Sequence, residues 1–324
     1  MTLVLAVVVL TLVLPWGAAA ATLRLAALLP PREACVALTG AAALLAGGTV
    51  SALIGLFHVP FLASLERIPL SRSAAEWPAT VPVAAVAGAL LAVQAVLLFR
   101  RWYEHRSLLA RGWASTGDAV PDGDLLVVPG SAPQAFALPG LRKKGGRIVV
   151  TTGMLGVLGP AEREVLLGHE RAHLAGRHHL LSLTAYLSAA VHPALRPLHR
   201  ALDFHLERWA DETAAASVGN RRLAASAIAR AALAGASAEE ADGRRGPLLS
   251  VGTGPVPRRV EALLRPAPVR PRARGARAAL AGLVTAVTVS ALLGLILAYG
   301  LHEYVELAAE DVRARRDGRA TTSM

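Results

Sequence analysis

"GPAEREVLLGHERAHLAG", residues 159–176, runs on into "RHH", residues 177–179. This stretch decides the fold, because it predicts both a helix and the chemistry that the helix carries. Gly159 precedes Pro160 near the first helical position, Glu162 and Glu164 face the positive end of the dipole, and Gly176 stands as a C-terminal stop. His169 and His173 are four residues apart, so their rings project from one face about one turn from each other and can share a metal. Glu170 is adjacent and can reach a water bound there. Zinc at such a site lowers the pKa of its water toward roughly 7, and the glutamate takes the proton as hydroxide attacks a carbonyl. The competing reading is chance: two histidines and a glutamate on a solvated helix, in a chain with 10 histidines. A third ligand decides between them.

Two candidates compete for that position. With Gly176 as a turn and His179 as ligand, the run fits the longer metzincin pattern. That pattern needs a methionine turn downstream, and the methionines are Met1, Met154 and the terminal Met324. The preferred candidate is Glu207 in "LERWAD", residues 206–211, on a second predicted helix flanked by Leu202, Phe204, Trp209, Ala210 and Ala214. Glu207 and Asp211 share a helical face, so one carboxylate can bind zinc while the other accepts a hydrogen bond from a ligand histidine and fixes its tautomer. The alternative is a solvated face of Glu207, Asp211 and Glu212.

Upstream, three β-prone segments, at 125–128, 134–138 and 147–152, are punctuated by Gly130, Pro139, Gly140, Gly145 and Gly146. They predict a small sheet. Downstream, residues 236–255 read as a loop, and "RPAPVRPRARGAR", residues 265–277, as a proline-broken basic linker.

The rest of the chain is apolar: 54% of its 324 residues are hydrophobic and its mean hydropathy is +0.46, which points to a bilayer. Four runs, at 3–21, 34–57, 79–99 and 278–300, are each about as long as the roughly 20 residues that a helix needs to cross it. The small residues at 17–21 resemble a signal cleavage site, but no basic n-region precedes the first run, which is therefore read as a retained span. The net charge of +11 is concentrated where spans end. Arg100, Arg101, Arg106 and Arg111 follow the third run, and Arg265, Arg270, Arg272, Arg274 and Arg277 precede the fourth. By the positive-inside rule the segment between them faces the cytoplasm, and the loop 66–76 lies outside. Trp102 and Tyr103 are placed as interfacial anchors. The charge is thus assigned to anionic membrane lipid and not to direct contact with nucleic acid. One cysteine, Cys35, excludes an intrachain disulfide and a multi-cysteine zinc site.

The expected architecture is mainly α: a polytopic membrane protein of about four transmembrane helices with a cytoplasmic α+β metallopeptidase domain that carries a small β-sheet. Residues 1–99 hold three spans, 100–264 the domain, 265–277 the linker, 278–300 the fourth span and 301–324 an extracytoplasmic polar tail.

"HERAH", followed by "VHPALRPLHRALDFHLERWAD" with its Glu-x-x-x-Asp, resembles the integral-membrane gluzincins, in particular the peptidase part of the BlaR/MecR-type beta-lactam sensors, over about residues 1–300. The resemblance implies one zinc ion per chain held by His169, His173 and Glu207, with Glu170 as base, Asp211 behind a ligand, and a protein or peptide substrate. Under it a transcriptional repressor is the expected substrate. "QAFALPG" from Gln134 and "GRIVVTTGML" from Gly146 look like that family's strands, the second as a substrate-binding edge. Sensor members continue into a large extracellular drug-binding domain. Here about 24 residues follow Gly300, so penicillin sensing is not expected.

The alternative enzyme is an HtpX-like or CAAX-protease-like quality-control peptidase. "LLSLTAYLSAAV", residues 180–191, is too short to span and is read as a buried or membrane-contacting helix. An alternative of another class is a catalytically silent membrane scaffold or regulatory binding protein. Retention of Glu170 argues against it, since a structural site needs ligands but no base. His205 is a candidate oxyanion stabiliser, with a surface histidine as the equal alternative.

Overall fold

A computed structural model describes residues 2–65, 80–117, 119–141, 145–242, 256–267 and 288. The apolar runs at the N-terminus form three helices, α1 (Thr2–Ala26), α2 (Pro31–Leu65) and α3 (Thr80–Ala114). Helix α2 opens on a proline, which has no N–H to leave unpaired, and carries Glu33 in its first turn. Two segments, Pro31–His58 and Val81–Ala114, are long and apolar enough to cross a membrane, which supports a membrane association. Along α3 the side chains of Val81, Val86, Leu90, Val93, Val96 and Phe99 are exposed, an apolar surface suited to lipid. The run at 3–21 lies within α1. The fourth expected span apart from residue 288, the loop 66–76, the tail 301–324 and most of the linker lie outside the described residues.

A four-stranded sheet follows: β1 (Val120–Asp122), β2 (Leu125–Val128), β3 (Ala135–Leu138) and β4 (Arg147–Thr151), in the order β1-β2-β4-β3. The three expected strands are present, with β1 in addition. Pro121 fits β1 because an edge strand can lack a donor on its open side. The expected edge role of the fourth strand is overturned. Strand β4 is interior, parallel to β2 and antiparallel to β3, so both its sides are paired, and the edges are β1 and β3.

Helix α4 (Thr152–Val157) is capped by Thr151, whose Oγ1 accepts from Met154 N–H at 3.2 Å. Then come α5 (Pro160–Ala175), α6 (His178–Val191), a 3₁₀ turn at Pro193–Leu195, α7 (Arg196–Val218), α8 (Arg221–Asp242) and α9 (Val256–Leu264). Residues 236–242, expected as loop, belong to α8, and 243–255 lie outside the described residues.

Helix α7 joins the two ends of the molecule. Its first half, with Leu198, Leu202 and Leu206, shares one core with Leu25 of α1 and Cys35, Leu38 and Leu45 of α2. Its second half, with Ala214 and Ala215, packs with Val165 of α5, Ile228 of α8 and Leu263 of α9. The α6–α7 hairpin also lies against α3. Gln94 Nε2 donates to Val191 O at 3.0 Å, and the Arg101 guanidinium lies 4.5 Å over the Tyr186 ring. Trp16 of α1 meets His192 edge-on at 6.0 Å. The expected division at residue 99 therefore falls inside one continuous helix and across one continuous core.

Candidate metal centre

Helix α5 is set so that its polar face points inward. Glu162 ties its start, accepting from Gly159 N–H and from Arg230 Nη1, both at 3.0 Å. Gly168 lets α7 approach closely: a Cβ there would lie 3.1 Å from Ser217 Oγ and 3.6 Å from Ala214 Cα. With the two helices in close contact, His169, Glu170 and His173 of α5 and Glu207 and Asp211 of α7 are all buried.

The structure brings His169, His173 and Glu207 together. His169 Nε2 and His173 Nε2 are 3.1 Å apart, and these atoms lie 3.5 and 3.4 Å from the Glu207 carboxylate oxygens Oε2 and Oε1. A tetrahedral ion with bonds near 2.0–2.1 Å separates its donors by roughly 3.3 Å. The separations of 3.1 to 3.5 Å lie near that edge, each imidazole facing a different oxygen of the carboxylate, and two imidazoles with a carboxylate are a borderline-soft set suited to zinc. The residues present therefore fit the ion.

Asp211 lies behind this group, its Oδ1 3.0 Å from His169 Nδ1. Burial pulls the His169 pKa down, but Asp211 and Glu207 outweigh it and push it up to about 10. Without a metal this imidazole holds a proton at neutral pH, so a metal must displace it. Burial holds His173 down at about 4. Burial would raise Glu207, but His173, His169 and Arg259 hold its carboxyl well below the usual range. Glu170 is pushed up to about 7 by burial, opposed by the His169 charge and by a hydrogen bond from the backbone of Ala137 in β3.

Other histidines are placed elsewhere. His179 is half-buried, lining an open pocket with Pro139, Gly146, Leu174 and Arg177. His205 is buried, and the charge acting on it is Arg208. His178, in contrast, is fully buried against His173.

Sequence reasoning missed Arg259. On α9 and 1% exposed, it donates to Asp211 through Nε at 2.7 Å and Nη2 at 2.6 Å, and its Nη1 lies 2.9 Å from Glu207 Oε2. The signal was present: Val256, Val260 and Leu263 fall at i, i+4 and i+7, and Arg259 occupies the i+3 position of the same inward face.

Residues 116–192 match the family model for Peptidase family M48. The matched segment takes in the sheet, α5 and α6, and ends before Glu207. No curated protein and no solved structure matches the chain. The match and the site together support a gluzincin-type metallopeptidase, a hydrolase of peptide bonds.

Proposed function

We propose that the chain is a membrane-embedded, zinc-dependent endopeptidase that hydrolyses a protein substrate at the cytoplasmic membrane face. The observation that carries this reading is the convergence of two buried imidazole nitrogens and the Glu207 carboxylate, their ligand atoms all within 4.8 Å of one another, with the Glu170 carboxylate buried beside them. His169, His173 and Glu207 would hold the ion, and Asp211 would orient His169. When bound, zinc supplies an electrophile and a water of lowered pKa.

The chain's own residues do the rest. Glu170 takes a proton from the attacking water at its carboxylate and passes it to the departing amine nitrogen. Strand β3 receives the substrate: with Thr151 N–H bonded to Gln134 O at 2.9 Å, Phe136 and Leu138 pair with β4 on alternate positions, and the backbone groups of Ala135 and Ala137 face the open edge. An extended peptide can pair there beside Glu170, which the Ala137 backbone contacts directly.

The inward orientation rests on Arg100, Arg101, Arg106 and Arg111 at the end of the third span. A transcriptional repressor is the first substrate to test and misfolded membrane proteins the second. Glu170→Gln in the full-length protein tests the enzyme reading: zinc content should match wild type and turnover should vanish. Undiminished turnover would leave a scaffold as the better account. Comparing the proteomes of cells carrying wild type and Glu170→Gln identifies which protein accumulates.

A further inference from the structure

We propose that His178 is a positioning residue for the metal centre, holding His173 in the tautomer and ring orientation that ligation requires. This inference rests on the zinc reading above. His178 Nδ1 lies 2.9 Å from His173 Nδ1, with the ring planes at 83° and their centroids 4.7 Å apart. Two imidazole nitrogens at that distance share one proton, so one donates and the other accepts. For His173 to offer the lone pair of Nε2 toward His169 and Glu207, its proton must sit on Nδ1. It then donates to His178 Nδ1, and His178 carries its own proton on Nε2.

The surroundings fix the ring in that role. His178 is 0% exposed, and its ring centroid lies 4.5 Å from that of Trp209 of α7, two residues beyond Glu207. Trp209 in turn lies under the Arg32 guanidinium of α2 at 5.6 Å. Gly176 is also close to the ring, since an added Cβ would come within 2.5 Å of His178 Nε2 and 2.6 Å of Cδ2. Gly176 has a φ of −76°, which any residue can adopt. Glycine is therefore required there for the space that the His178 ring occupies. The left-handed residue at this helix end is Arg177, with a φ of 49°, and it turns the chain so that His178 falls back onto His173.

The two ligand histidines are thus supported differently: His169 by the carboxylate of Asp211 and His173 by a neutral ring. His178 Nε2 makes no hydrogen bond among the described residues, so a catalytic proton path through it is not implied. Its action is on His173 alone.

The test uses the full-length detergent-solubilised protein, zinc affinity by chelator competition, and the visible spectrum of the cobalt-substituted form. His178→Phe keeps ring volume and removes the acceptor; zinc affinity should fall by about 10–100-fold, the usual effect of losing a partner behind a ligand. Gly176→Ala, which displaces the ring without altering it, should weaken zinc in the same direction. His178→Asn, which restores an acceptor, should recover most of the affinity and the wild-type cobalt spectrum. Wild-type affinity in His178→Phe would overturn the proposal, as would equal loss in His178→Asn and His178→Phe, which would mark a packing role. If wild type itself binds no zinc, the metal-centre reading fails instead, and the two failures are distinguishable.

Discussion

At the scale of single residues, Arg259 closes the charge balance of the centre. Glu207 and Asp211 bring two negative charges into a buried space, and Arg259 and the protonated His169 bring two positive ones. Removing the arginine leaves the two buried carboxylates of Asp211 and Glu207 against the single charge of His169. Arg259→Ala is expected to cost about 3–5 kcal/mol of stability, the usual result of breaking a buried ion pair from one side, read by denaturant unfolding of the metal-free protein. A loss below about 1 kcal/mol, the scale of an exposed pair, would show that the contacts are not coupled to folding. The spacing of His169, Glu170 and His173 was legible because one helical turn sets it. The clustering of Glu207 with them, which the LERWAD reading anticipated, depended on a second helix arriving at a depth that Gly168 and Ala214 permit. Arg259 sits among 34 cationic residues, and nothing in its local sequence names Asp211, 48 positions earlier, as its partner.

At the scale of elements, the strands were legible and their neighbours were not. Glycine and proline mark where β2, β3 and β4 begin and end, but β3 and β4 are both short, apolar and flanked by turns. Only pairing distinguishes an edge from a centre, and pairing is a long-range property. With β3 at the edge, Ala135→Pro removes a donor that faces outward and leaves the β4 ladder intact. Its expected effect is a rise in KM for an extended peptide of roughly tenfold or less, one hydrogen bond's worth, with zinc content unchanged. An unchanged KM would move the substrate off this edge. Helices α8 and α9 escaped notice for a different reason. Alanine-rich α8 shows weak amphipathicity, and α9, at nine residues, is too short to stand without tertiary support.

At the scale of the whole molecule, the sequence suggests a membrane anchor carrying a separable domain, because hydropathy falls sharply after residue 99. Packing ignores that boundary: Leu195, Leu198, Leu202 and Leu206 bury themselves against α1 and α2. Hydropathy reports what a segment can tolerate and not what it touches. A fragment of residues 100–264 should therefore expose this leucine row and aggregate, as measured by sedimentation after expression without the N-terminal helices. A soluble, monodisperse, zinc-loaded fragment would contradict the shared core. Cys35, 0% exposed and the only thiol in the chain, sits within that same seam. Alkylating reagents can meet it only when the helices that bury it part, so the native protein already contains a chemical clock for how often its N-terminal helices separate from the rest.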